Sequence, residues 1–283
     1  MTQTTDKPLD GRVALITGAN TGIGRVTAHE LAKQGAHVFI ACRSAERAQP
    51  VVDEIRAASG SAAVELLALD LGDFDSIRQC AQTFLARGLP LHLLINNAGL
   101  AGARGLTRSG FELAFGVNHM GHFLLTRLLM DRIRNSAPAR IVTVASKAHY
   151  RAAGIDWEAV CRATQSRTGL PEYSVSKLAN VLFSAELGRR LIGSGVSTHA
   201  LHPGVVASDV WRSVPWPLRP LIKLAMISTE DGAATTLYCA TSSQAGGETG
   251  LYYDSCRVKE PGKLAQNLAL AADLWRRSEE WVA

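Results

Sequence analysis

The chain has few of the features that mark a secreted, membrane-spanning or nucleic-acid-binding protein. Its five cysteines, Cys42, Cys80, Cys161, Cys239 and Cys256, are odd in number and far apart. They give no basis for a disulfide framework or a CxxC metal or redox site, and suit a reducing cytoplasm. No apolar run reaches the length of a bilayer span, and the polar opening MTQTTDKPLD lacks the apolar core of a signal peptide. Charge is sparse: Asp, Glu, Lys and Arg make up 19% of the chain, and 30 Lys+Arg against 25 Asp+Glu give a formal net charge of +5 with no basic run. A nucleic-acid groove therefore has no basic stripe to form on, while a mild basic excess suits an anionic ligand or a membrane surface. There is no Pro/Gly/Ser linker, no low-complexity tract and no internal repeat beyond an alternation of strands and helices.

What the sequence does have is apolar bulk: 283 residues, 47% hydrophobic, with 25 glycines, enough for one large core. Short apolar runs at RVALIT, AHVFIA, VELLALD, LHLLIN, RIVTVAS and VSTHALHP read as strands. Amphipathic stretches near residues 22–34, 44–58, 73–87, 111–135 and 173–193 read as the helices between them. Continuous apolar strands alternating with helices indicate a parallel sheet covered on both faces, hence a single α/β domain over residues 1–283.

The first strand ends in TGANTGIG, Thr17 to Gly24, which opens the first helix. Glycines there let the backbone approach a ligand closely, and the helix N-terminus offers free N–H groups to a pyrophosphate. The spacing of Gly18, Gly22 and Gly24 is GxxxGxG, not the common GxGxxG. The second strand ends in FIACRS, with no carboxylate for a ribose 2′-hydroxyl and with Arg43 in reach of a 2′-phosphate. Farther on, YSVSK puts Tyr173 and Lys177 one helical turn apart on one face.

These motifs, together with NNAG at Asn96 to Gly99, Asn118, Ser146 and HPG at His202 to Gly204, occur in the order expected of the short-chain dehydrogenase/reductase family. The chain resembles that family over nearly its whole length. TGANTGIG, ACRS, LDL, VNHMGHFLLT and YSVSKLANVLF are most similar to the retinol dehydrogenase branch and its bacterial relatives. The resemblance implies a Rossmann-type doubly wound parallel sheet of about seven strands and a nicotinamide cofactor, and with Arg43 and Cys42 in place of an acid, NADP(H) in preference to NAD(H). It implies that Tyr173 exchanges a proton with the substrate oxygen, that Ser146 hydrogen-bonds that oxygen, and that Lys177 lowers the tyrosine's pKa and binds the nicotinamide ribose. Asn118 would hold the helix backbone and a water that relays the lysine to solvent. The cofactor residues so implied are Gly18, Asn20, Thr21, Gly22, Ile23, Gly24, Arg43, Asp70, Leu71, Asn97, Ala98, Gly99, Tyr173, Lys177, Pro203, Gly204 and Val206. Asp70 is open to a second role as a helix cap, with adenine contact favoured.

Three further features have two readings each. Residues 147–172, between Ser146 and Tyr173, form an insert about twice as long as in the family's shorter members, as the retinol dehydrogenase branch also carries; its Tyr150 and Trp157 line a substrate mouth, or the insert is a solvated loop with one anchored tryptophan. His119 and His122, three apart, have no acidic or cysteine partner at metal-ligand spacing, so no metal is expected and helix packing beside Asn118 suffices. Residues 205–228, with Trp211 and Trp216 among apolar and basic residues, form a candidate substrate lid, a peripheral membrane contact, or inert packing. The expectation is an NADP(H)-linked oxidoreductase acting on an apolar alcohol, aldehyde or ketone in the cytoplasm, without nucleic acid. The alternative is a non-catalytic dinucleotide sensor or interaction protein that keeps the fold and has abandoned the chemistry. Helices near 111–135 and 173–193 resemble those through which the family assembles, so a homo-oligomer is expected.

Overall fold

A computed structural model describes residues 7–204 and 228–283. The first half runs β1 (Val13–Thr17), α1 (Gly22–Lys33), β2 (His37–Cys42), α2 (Ala45–Ser59), β3 (Val64–Ala68), α3 (Phe74–Leu85) and β4 (Leu93–Asn96). Helix α4 follows as Leu113–Phe115, a π-helical stretch at Gly116–Met120, and Gly121–Arg134. Then come β5 (Ala139–Val144), α5 (Leu170–Arg190), β6 (Val196–His202), α6 (Thr229–Thr241), β7 (Leu251–Asp254), β8 (Arg257–Val258) and α7 (Leu268–Val282).

The sheet order is β3-β2-β1-β4-β5-β6-β7-β8. Strands β1 to β7 are parallel, and β8 is a two-residue antiparallel addition at the edge. Residues of one strand alternate between two cores. Ala14 and Ile16 of β1 face α1, α2 and α6, whereas Val13 and Leu15 face α3 and α4. Both faces are buried, which is why the strands read as unbroken apolar runs. Strand order reverses between β1 and β4, and a crevice opens beyond the carboxyl ends of the strands at such a reversal.

Helix α7 lies across α4 and α5. Trp275 stacks on Phe183 (6.0 Å, 11°), meets Phe123 edge-on, and carries the Arg190 guanidinium 4.4 Å from its ring centre. His119 Nε2 lies 3.0 Å from Ser278 Oγ, and Arg127 pairs with Glu279. The insert packs beside it: Trp157 meets Trp281 and sits under Arg277, while Thr164 donates to the buried Glu112 at the start of α4. No described helix is long and apolar enough to cross a membrane.

Candidate active site

A cleft of about 770 Å³ opens at the strand reversal, from Arg43 and Arg47 at one end to Ser146 and Tyr173 at the other. Its floor is the turn from Gly18 through Asn20, Thr21, Gly22 and Ile23 to Gly24; Asp70 and Leu71 form a wall, Asn97, Ala98 and Gly99 lie between, and Pro203 and Gly204 border the far end with Lys177. Val206 and the candidate lid lie outside the described residues, except Ser228, which caps α6 by accepting from Asp231 N.

The turn closes tightly for steric reasons. A Cβ on Gly18 (φ +66°) would stand 2.9 Å from Ala98, and one on Gly24 would fall 2.4 Å from Asn97 Nδ2 and 2.7 Å from the Gly18 oxygen. Thr21 occupies the N-cap of α1 without a capping bond from its side chain, so the first N–H groups of the helix stay open toward the cleft. Asp70 does not cap α3. That position is Asp73, which accepts from Asp75 N, and Asp70 instead accepts from Gly72 N at 2.9 Å while its residue borders the cleft.

Behind the cleft, one hydroxyl organises the centre. Thr17 Oγ1 accepts from the N–H groups of Asn97 (3.0 Å) and Ala98 (2.9 Å), and lies 2.9 Å from His122 Nε2. His122 Nδ1 is 2.9 Å from the Asn118 carbonyl, which can only accept. The ring proton is therefore on Nδ1, and Thr17 donates to Nε2. Burial drives the His122 pKa down to about 4, so the ring is neutral. His119 and His122 thus serve α7 and the Thr17–Asn118 chain respectively. Asn118 is buried just behind the cleft, in the π-helical stretch, where such irregular turns accompany functional sites. Its Oδ1 accepts from Leu100 N, and its Nδ2 donates to Leu100 O and Ser176 Oγ.

Lys177 is 3% exposed and donates to the Val144 carbonyl at 2.7 Å. Burial lowers its pKa to about 7. Burial raises that of Tyr173, and a hydrogen bond with Ser146 pulls it back only in part. The expected lowering of the phenol by Lys177 is thus not the arrangement of the chain by itself: the ammonium lies 5.7 Å from the tyrosine ring centre and directs its bond to a backbone carbonyl. The phenol stays protonated near neutrality, as a proton donor must.

Neither Tyr150 nor Trp157 borders the described cleft. Trp157 is held by α7, and the Tyr150 hydroxyl donates to Glu260 O at 2.7 Å. The catalytic end is lined instead by Ala101, Ala103, Ala148, Arg151, Leu170 and Ser174. Sequence reading also passed over Arg47, although it follows Arg43 by four residues and its N–H is bonded by Ser44 at the N-cap of α2; the second arginine in ACRSAERA was the available signal.

Known proteins share both sequence and shape with this chain. Retinol dehydrogenase 12 of Mus musculus is 43% identical over 286 residues, covering 98% of this chain and 88% of its own. A solved structure of an uncharacterized protein from Mycobacterium paratuberculosis is 32% identical, with a TM-score of 0.78 over 100% of this chain and 97% of that one. The 3-ketoacyl-(acyl-carrier-protein) reductase from Brucella melitensis, complexed with NADH, is 25% identical, with a TM-score of 0.67 over 87% and 97%. Residues 12–216 match the short chain dehydrogenase family. With the doubly wound sheet, the glycine turn and the Ser146, Tyr173 and Lys177 cluster in one cleft, the chain belongs to the short-chain dehydrogenase/reductase family of oxidoreductases.

Proposed function

We propose that the protein interconverts an apolar alcohol and its aldehyde or ketone with NADP(H). The observation that carries this reading is that one cleft has two arginines at one end and Ser146, Tyr173 and Lys177 at the other. The residues present fit a nicotinamide dinucleotide: the glycine turn has no room for side chains, the α1 N–H groups are uncapped, and the buried Lys177 ammonium has one hydrogen bond among the described residues. When bound, such a cofactor supplies or accepts a hydride. Arg43 and Arg47 would hold a 2′-phosphate, with Asp70 and Leu71 along the adenine.

At the reacting end, Tyr173 gives its hydroxyl proton to the carbonyl oxygen as negative charge develops there, and takes it back in the reverse direction. Ser146 Oγ donates to the same oxygen, a bond that strengthens as the charge grows. Lys177, its pKa lowered toward neutrality by burial, would hold the nicotinamide ribose and return a proton to the tyrosine. Asn118 braces the turn through Leu100 and Ser176. An apolar substrate is favoured by Ala101, Ala103, Ala148 and Leu170 at this end, because its two polar lining residues are poorly placed to select a sugar or small acid: Arg151 is exposed, and Ser174 Oγ already donates to Leu170 O. The 43% identity to a retinol dehydrogenase agrees with that choice.

The test is turnover of a lipophilic aldehyde series and a polar hydroxy-acid series, each with NADP(H) and NAD(H), in wild type and Tyr173→Phe. The lipophilic series with NADP(H) should be preferred, and Tyr173→Phe should lose turnover while still binding cofactor. Preference for the polar series overturns the substrate reading, and an active Tyr173→Phe enzyme overturns the chemistry.

A further inference from the structure

The turn that carries Ser146 is gripped by a strap from the other end of the chain. His149 Nδ1 lies 2.7 Å from the Ser146 carbonyl oxygen, and the His149 N–H donates to that oxygen at 3.1 Å. On the far side of the ring, Gly262 N–H donates to His149 Nε2 at 3.0 Å. Because the glycine N–H can only donate, Nε2 is bare and the ring proton must be on Nδ1, donated to the serine carbonyl. The ring cannot turn away from this arrangement. It stands between Tyr150, 4.0 Å between centres, and Tyr252, edge-on at 4.9 Å.

The strap is itself tied down at several points. Asp254, at the end of β7, accepts from both Lys147 Nζ and Lys259 Nζ at 3.1 Å, so the residue after Ser146 and the strap share one carboxylate. Lys259 N–H donates to Tyr252 O, and the Tyr150 hydroxyl donates to Glu260 O. Ser146 Oγ borders the cleft and accepts from Ala148 N at 3.2 Å, while the Lys147 N–H reaches His202 Nδ1 of β6 at 3.4 Å. Of the contacts around that turn, the His149 ring is the one that joins the serine carbonyl to the strap directly.

We propose that His149 is a positioning residue for Ser146, transmitting the hold of the strap at residues 255–262 to the serine carbonyl and so fixing where its hydroxyl meets the substrate oxygen. This rests on the catalytic reading of Ser146. Loss of the ring leaves Gly262 N–H without its acceptor and the serine carbonyl with the weaker of its two donors. A hydroxyl displaced by a fraction of an ångström loses much of its effect on a developing oxyanion.

The experiment is a double-mutant cycle on kcat with a reactive aldehyde and saturating cofactor. Ser146→Ala alone tests the catalytic reading, and if it leaves kcat intact that reading fails. Given a loss in Ser146→Ala, His149→Phe in the wild-type background should lower kcat roughly ten-fold with little change in cofactor Kd. In the Ser146→Ala background it should cost almost nothing more. His149→Asn, whose side-chain N–H can occupy the place of Nδ1–H, should stay within about two-fold of wild type, whereas His149→Gln, which places its N–H farther out, should behave like Phe. Should His149→Phe fail to fold, the cycle runs on His149→Gln. Equal losses in the two backgrounds, or a His149→Asn enzyme no better than Gln, would show that His149 serves stability alone and overturn the proposal.

Discussion

Lys177 allows a quantitative test that needs no substrate. Its ammonium is buried and its pKa is lowered from 10.5 to about 7 by desolvation. In the unfolded chain the same group keeps its ordinary value, so between the two pKa values the unfolded state binds more protons than the folded one. Stability must then rise with pH across that window. Below pH 7 the folded protein carries the full cost of a charge out of water, on the order of 5 kcal/mol for a pKa lowered from 10.5 to about 7. About 2–3 kcal/mol of it should be relieved between pH 6 and pH 9. The measurement is urea unfolding of wild type and Lys177→Met at pH 6, 7, 8 and 9 without cofactor. The difference between the two proteins isolates the lysine from every other titrating group. Wild type should gain on the variant by that amount as pH rises. A flat difference would mean that the lysine is solvated or paired, and that the burial argument is wrong.

Arg43→Ala should weaken NADP(H) about ten-fold or more and leave NAD(H) nearly unchanged, as titration of both cofactors would show; equal losses would remove the 2′-phosphate role. Gly24→Ala should abolish dinucleotide binding, because a Cβ there meets the Gly18 oxygen at 2.7 Å as well as Asn97, and backbone cannot rotate aside. Trp275→Ala should cost about 3–5 kcal/mol and lower the melting temperature on the order of 10 °C by circular dichroism, since it removes the contacts to Phe123, Phe183 and Arg190 together.

Sequence pattern was most informative where a local rule and the tertiary environment agree. Six of the parallel strands were legible because a strand buried on both faces must be apolar throughout, and the helices between them kept one apolar face. Strand β7 escaped because LYYD is four residues long with polar atoms, and α6 because ATTLYCAT has little amphipathic contrast. The glycine turn and the YSVSK pair were readable because their chemistry requires fixed spacing. The positions of His149, Asp254 and Gly262 were not, since bonds spanning 107 to 113 residues leave no trace in local spacing. The lysine's electrostatics were misjudged for a related reason: spacing shows that Tyr173 and Lys177 share a helix face, but not that the ammonium turns to Val144.

Helix α7 has a consequence for assembly. The outer faces of α4 and α5, which the sequence marked for a second subunit, are covered in part within the same chain by Trp275, Ser278 and Glu279, while Leu128 of α4 stays exposed. An association of copies through those two helices would have to include α7 in its interface. The helix that carries Tyr173 and Lys177 is thereby supported along its back by a neighbour that dilution cannot remove, and the effective concentration of that neighbour is set by covalent connection.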